Sequence, residues 1–344
     1  MGPYSIGATG NIGAAVLEAL VAAHPQLVVE ALVRSEKDSS VIKEYFSTNI
    51  STEQGGLDDL ALLEQKASES DIVINCAPDV PHAKGVASLL VGLSSSSAPK
   101  FFIQTSGAAR VWDAPDGFNP GRVWDDITDL DSFPTSTTHA SNDIQLFAAA
   151  SQTLRTAIVS PSFVLGRSPS RTRTAPIILP YLLRAVRDIG GGFVSGEGKN
   201  VTAFVDNQVL AEIYVALVSD ALRIIDGGQV RDEVWGPKAY YFASSLELSF
   251  REFVEGYLLP SLKRCGGNKL LRNEGIKEVS QEDLTALVIG NLGGIEALWS
   301  RHIAEGFGTA MRVRPSRAQR YLGIDMAKGL PRLDDAVAAS LQGL

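Results

Sequence analysis

Gly7, Gly10 and Gly13 recur every third residue in Gly7-Ala-Thr-Gly-Asn-Ile-Gly13, between a short apolar run and an amphipathic one. Glycines so placed have separate duties. The first permits a tight turn, the second lets backbone approach a pyrophosphate, and the third lets helix pack on strand. The exposed N–H groups at the start of the following helix then favour phosphate oxygens. The loop Gly7, Thr9, Gly10, Asn11, Ile12 and Gly13 is therefore expected to bind a dinucleotide. The next apolar run ends at Val33, about 20 residues after Gly13, where a residue meeting the adenosine ribose belongs. A site for NAD(H) favours Asp or Glu there, to accept from the ribose hydroxyls. This chain has Val33-Arg-Ser-Glu-Lys37. Arg34 and Lys37 suit a 2′-phosphate, and Arg also stacks on adenine. NADP(H) is thus expected in preference to NAD(H); Glu36 offers a ribose acceptor, and the alternative for both cations is plain solvation.

The elements that position this loop can be read from the pattern of apolar runs. With 344 residues, 45% hydrophobic and 20% charged, the chain has the composition of an ordinary globular protein. Strands are expected at 3–6, 27–33, 71–76, 101–105 and 156–160, with a weaker one near 46–52. Helices are expected at 14–23, 57–67, 81–93 and 140–154. Strand–helix alternation with continuous apolar strands points to a Rossmann-type doubly wound parallel sheet, covered on both faces. The sequence changes character after Gly166, where Arg167-Ser-Pro-Ser-Arg-Thr-Arg-Thr-Ala-Pro176 forms a basic, turn-rich stretch. Residues 1–166 therefore read as a dinucleotide-binding domain. Residues 167–344 read mainly as a smaller mixed α/β substrate lobe, in part interleaved with the first, with helices at 177–187, 209–222, 250–264, 281–288 and within 315–342.

A net charge of −8 argues against a nucleic-acid partner. Cys76 and Cys265 are too far apart for a metal spacing or a disulfide framework, and Cys76 reads as a buried strand residue. A reduced, cytoplasmic setting is expected, with no membrane span and no metal, as a monomer or homodimer.

The order and spacing of these pieces resemble the extended and atypical branches of the short-chain dehydrogenase/reductase superfamily, of the epimerase/dehydratase kind. The likeness rests on the glycine loop, on 71–77 and 101–107 as the fourth and fifth strands, and on Thr156-Ala-Ile-Val-Ser-Pro-Ser-Phe-Val-Leu-Gly166. Further pieces are Gly196-Glu-Gly-Lys-Asn-Val-Thr-Ala-Phe-Val-Asp206 and Tyr321-Leu-Gly-Ile324, the last with Ile324 in place of a Trp. The resemblance implies cofactor contacts at Gly7, Asn11, Ile12, Arg34, Ala77, Pro78, Thr105, Pro161 and Val164. It places a substrate pocket between 105–110, 161–173 and the second lobe.

The catalytic pattern departs from that family. Its members usually reduce a carbonyl with a Ser, a proton-donating Tyr, and a Lys four residues after the Tyr. Here His139 stands at the Tyr position, Asp143 at the Lys position and Gly107 at the Ser position, with Ser106 beside it. An atypical group with a His-x-x-x-Asp helix, some of whose members look like aldehyde reductases, resembles this arrangement. Residues four apart share a helical face, so Asp143 is expected to orient the His139 imidazole and raise its pKa, making it a general acid. The alternative is that His139 merely precedes the helix while Asp143 complements its dipole. Ser106, at a strand's carboxyl end, is a candidate for holding a carbonyl oxygen. Arg167, Arg171 and Arg173 are candidates for clamping an anion. His82 reads as a surface-loop residue, and His24 and His302 suggest no partners. An NADP(H)-dependent oxidoreductase reducing an aldehyde or ketone is the function expected from these residues; the alternatives are a non-redox isomerase, dehydratase or cyclase on the same fold, and an NADP(H)-sensing binding protein. The two enzymatic readings take a small-molecule substrate beside the dinucleotide, for which the second lobe supplies a pocket.

Overall fold

The computed structural model describes residues 2–46, 49–77, 81–273, 275–290 and 294–344. Seven strands form one sheet: β1 (Pro3–Ile6), β2 (Val29–Val33), β3 (Ile50–Gln54), β4 (Ile72–Asn75), β5 (Lys100–Thr105), β7 (Leu154–Pro161) and β11 (Tyr240–Ala243). Their order is β11-β7-β5-β4-β1-β2-β3, and every pairing is parallel. The order reverses beside β1, which leaves a crevice at the carboxyl ends of β1 and β4, where ligands bind in such sheets.

Alternation along the strands explains the layers. Ile72 and Ile74 of β4, with Phe101 and Ile103 of β5, face a core shared with α1 (Asn11–Ala23) and α7 (Asn207–Ile225). Val73 and Phe102 point the other way, onto Leu63 of α3 (Leu60–Glu69), Val86 and Leu89 of α4 (Ala83–Ser94) and Leu146 of α5 (Ala140–Ala149). Both faces are covered, as a parallel sheet requires.

The chain beyond residue 166 is interleaved with this sheet, because α7 and β11 belong to it. The remainder builds a second lobe around Leu179, Leu182 and Val186 of α6 (Ile178–Ile189), Phe250, Phe253 and Phe307. The strands outside the large sheet are short, and two of them, at 123–125 and 163–164, precede residue 166. β8 (Phe163–Val164), β10 (Val201–Val205) and β12 (Leu246–Ser249) form one small sheet, β9 (Gly192–Ser195) pairs with β13 (Ile276–Val279), and β6 (Val123–Asp125) pairs with β14 (Arg312–Arg314).

Boundaries differ from the sequence expectations in informative places. The run expected as one helix over 140–154 stops at Ala149, because Leu154 already begins β7 beside Lys100. Residues after Ser35 form α2 (Glu36–Phe46), whose buried positions are only Ser39 and Ile42. So polar a helix leaves only a weak apolar signal, Ile42 and Phe46, and the strand expected from residue 46 begins instead at Ile50. Cys76 lies just beyond β4 and borders the crevice rather than sitting inside the strand. No helix among the described residues is long and apolar enough to cross a membrane.

Candidate active site

The glycine loop has the geometry its spacing implies. Gly7 has φ +84°, and its carbonyl accepts from Gly10 N at 2.8 Å. A Cβ on Gly13 would come 2.1 Å from the Gly7 oxygen, so Gly13 lies under the turn and lets α1 pack on it. Helix α1 begins at Gly10 with no side-chain cap and no acidic residue in its first turn. Its first N–H groups and positive dipole end are thus left for an anion.

The basic stretch after Gly166 seats this loop. Ser168 Oγ donates to the Asn11 carbonyl at 2.8 Å, and Ser170 Oγ and Thr172 Oγ1 donate to the Thr9 carbonyl at 2.7 and 3.0 Å. Its three arginines diverge. Arg173 reaches the crevice, Arg171 lies over the Tyr45 ring, and the Arg167 carbonyl accepts from Arg332.

A cleft of about 430 Å³ runs from the loop past the ends of β5 and β7. Gly7, Thr9, Gly10, Asn11, Ile12, Arg34, Ala77, Thr105, Pro161 and Val164 line it, as do Ser106, Gly107 and His139. Gly13 supports the cleft from below. Lys37 does not line it, because α2 carries that residue onto an exposed first turn. Pro78 lies outside the described residues. The fit to a dinucleotide rests on the open α1 N-terminus, the side-chain-free cradle of the loop, and two lining guanidiniums, Arg34 and Arg173, that pair with no carboxylate among the described residues.

The expected pairing of His139 with Asp143 is not formed. Asp143 N bonds the His139 carbonyl, but its carboxylate turns into the protein. There Oδ2 accepts from Ser106 Oγ at 3.1 Å and lies 3.2 Å from Arg110 Nε, with both members of that ion pair buried. Oδ1 has no hydrogen-bond partner among the described residues. Arg110 is fixed by the short turn Ala108–Val111 and donates to Thr137 Oγ1 at 3.1 Å. Burial pushes the Asp143 carboxyl up, against the pull of the Ser106 hydroxyl and the Arg110 guanidinium. Tyr240, bonded to Ser160 Oγ at 2.9 Å, completes the buried cluster, and burial beside Asp143 drives its hydroxyl far above the usual range.

His139 instead faces the cleft from the N-cap of α5. Without a carboxylate beside it, its pKa is not raised. Burial first, then the nearby His302 and Arg110, bring it down to about 4, so the ring is neutral near pH 7. The ring also explains Gly107. A Cβ there would lie 2.5 Å from His139 Nε2, so the imidazole fills the space of a side chain at that position. Gly107 and His139 are therefore coupled, since the ring occupies the space a side chain at 107 would need.

Sequence reasoning missed the far wall. His302 stacks on Trp112 with centroids 4.5 Å apart and an 18° tilt, and Trp299 lies 5.6 Å from His302. Trp112 and His302 are far apart in the chain, and no local pattern links them. His82 caps α4, accepting from Gly85 N, and His24 bonds Ser219, so neither belongs to the cleft. The Cys76 thiol, beside Thr105 and Tyr214, is pushed up to about 11 by burial and remains protonated.

Sheet order, crevice and glycine loop define the Rossmann-type α/β class with a second lobe. UDP-glucose 4-epimerase from Thermotoga maritima, solved with UDP-glucose, superposes with a TM-score of 0.65 at 13% identity, covering 100% of this chain and 99% of that one. The dTDP-glucose 4,6-dehydratase DesIV from Streptomyces venezuelae, solved with NAD, gives 0.63 at 17% identity, covering 99% and 96%. The Bordetella bronchiseptica enzyme WbmH, in complex with NAD⁺, gives 0.60 at 16% identity, covering 99% and 97%. Among curated proteins, the chain is 28% identical over 260 residues, 71% of its own length and 74% of the relative, to a protein named oxidase ucsJ from Acremonium sp. No family model matches the chain.

Proposed function

We propose that the protein is an enzyme, an NADP(H)-dependent oxidoreductase that reduces an aldehyde or ketone at the inner end of this cleft. The carrying observation is that Ser106, at the carboxyl end of β5, lines the cleft while its hydroxyl bonds the buried Asp143. The solved structures of similar fold that hold NAD, and the relative named an oxidase, support a nicotinamide cofactor and redox chemistry.

Gly7, Gly10, Asn11 and the α1 N-terminus would hold the pyrophosphate. Arg34 would meet the 2′-phosphate, and Thr105, Pro161 and Val164 would border the nicotinamide. The bound cofactor would supply the hydride. With Asp143 protonated and donating to Ser106 Oγ, the Ser106 hydroxyl is freed to donate to the substrate's carbonyl oxygen and passes it a proton as charge develops there. Asp143, whose burial favours the protonated carboxyl, returns a proton to Ser106. Arg110 positions Asp143. His139, neutral and fixed against Gly107, offers a further hydrogen bond to the same oxygen. This assignment gives the Tyr role to a serine backed by a carboxyl, and the general-acid role to Asp143 rather than His139.

The test is to follow NADPH absorbance and product together. One NADPH consumed per carbonyl reduced is expected. Product formed with NADPH unchanged would replace this reading by a non-redox one.

A further inference from the structure

The substrate end of the cleft has a composition that names a class of ligand. Trp112 is held rigidly. Its Nε1 donates to Met311 Sδ at 3.0 Å, His302 stacks on the indole, and the Phe163 ring meets it edge-on with centroids 6.2 Å apart. The helix Gly294–Gly308 presses directly against these rings through Gly306, where a Cβ would come 2.8 Å from Phe163 and 3.1 Å from Trp112. Ile178 and Ile303 extend the apolar surface.

Charge is distributed unevenly over the same cleft. Among the described residues no Asp, Glu or Lys lines it, and its cations are Arg34 and Arg173. Arg34 follows β2. Arg173 belongs to the stretch bonded to the Thr9 and Asn11 carbonyls. Both therefore stand at the phosphate-loop end. The imidazoles at the other end, His139 and His302, are both shifted downward by burial and carry no charge near neutrality.

We infer that the substrate is a neutral, flat, largely apolar carbonyl compound, seated against the Trp112–His302 wall, and that sugar nucleotides are excluded. This rests on the dinucleotide reading above, in which Arg34 meets the cofactor and Arg173, at the same phosphate-loop end, stands away from the Trp112–His302 wall. A sugar nucleotide brings a second pyrophosphate, and leaving it unpaired against indole and isoleucine is costly. A planar aromatic group gains contact area there and an offset ring stack.

The experiment uses the full chain saturated with NADP⁺ and calorimetric titration with two probes, 2-naphthaldehyde and UDP-glucose. The expected result is saturable binding of 2-naphthaldehyde and binding of UDP-glucose at least tenfold weaker. Trp112→Ala should weaken 2-naphthaldehyde by roughly tenfold, and Trp112→Phe by less. NADPH affinity, measured on the same variants, should stay unchanged and so report an intact fold. UDP-glucose binding as tightly as 2-naphthaldehyde, or no binding of 2-naphthaldehyde, would overturn the proposal. An unchanged 2-naphthaldehyde affinity in Trp112→Ala would do the same. The underlying reading fails separately. If 2-naphthaldehyde binds through Trp112 but is never reduced by NADPH, the ligand class stands and carbonyl reduction falls. If NADPH reduces only charged carbonyls, the reverse holds.

Discussion

The two ends of the cleft are built by opposite means. The phosphate-loop end is made mostly of backbone, with Gly7 in a left-handed conformation, Gly13 tucked beneath it and the uncapped start of α1. The inner end is made of side chains from segments scattered over the chain: Ser106, Trp112, His139, Phe163 and His302. Backbone geometry depends on a few glycines at fixed spacing, so one end is tied to a short motif. Side-chain geometry depends on packing between lobes, so the other end is free to change its chemistry while the fold stays the same.

The sharpest way to break this contrast is at Asp143. Asp143→Asn should lower kcat by about 10²–10⁴-fold, the range for losing a positioned acid, while NADPH affinity measured by calorimetry stays within twofold. A loss of NADPH binding in that variant would mean that the two ends are not separable. Because the proposed acid works protonated, and burial raises the Asp143 pKa, reduction by the wild type should slow as pH rises through neutrality. A flat profile there would remove Asp143 from the proton path.

Arg110 tests the support beneath the inner end. At a pH above neutrality, where Asp143 is ionised, Arg110→Leu leaves the buried carboxylate without its cation, which should cost about 3–5 kcal/mol in a denaturant titration. A loss under about 1 kcal/mol, typical of exposed pairs, would show that the pair holds nothing in place. At the other end, Arg34→Ala should weaken NADPH by roughly 10- to 100-fold, the scale of a lost hydrogen bond to a charged group, and leave NADH unaffected. Equal losses for both would place Arg34 on the adenine or pyrophosphate instead.

The smallest expected effect is a pH dependence of stability. The His139 imidazole is brought down from 6.5 to about 4 in the folded chain, chiefly by burial. As pH falls, the unfolded chain takes up this proton first. The associated stability is therefore full above pH 6.5 and lost between there and pH 4. The His139→Phe variant should show a shallower fall in Tm over that interval than the wild type. A parallel fall would place the imidazole in a solvated setting.

This contrast also explains what the sequence could and could not tell. Strands such as β4 and β5 are continuous apolar runs, and Gly7, Gly10 and Arg34 stand at spacings fixed by one βαβ unit, so both were legible. Helix α2 was not, because only Ser39 and Ile42 are buried in it, and this moved Lys37 off the cleft. The i, i+4 spacing of His139 and Asp143 suggests a face-sharing pair that the fold does not form. Asp143 found stronger partners in Arg110 and Ser106, which approach from a neighbouring turn and strand. Nothing local in the sequence announces the meeting of Trp112 with His302, nor the reason for Gly107, which is only the space that His139 fills.

The central claim is that the backbone-built end holds NADP(H). Calorimetric titration of the wild-type chain with NADPH and NADH tests it most directly. Saturable binding of NADPH, about tenfold or more tighter than NADH, is the expected result. NADH bound as tightly as NADPH, or no saturable heat with either dinucleotide, would contradict the claim.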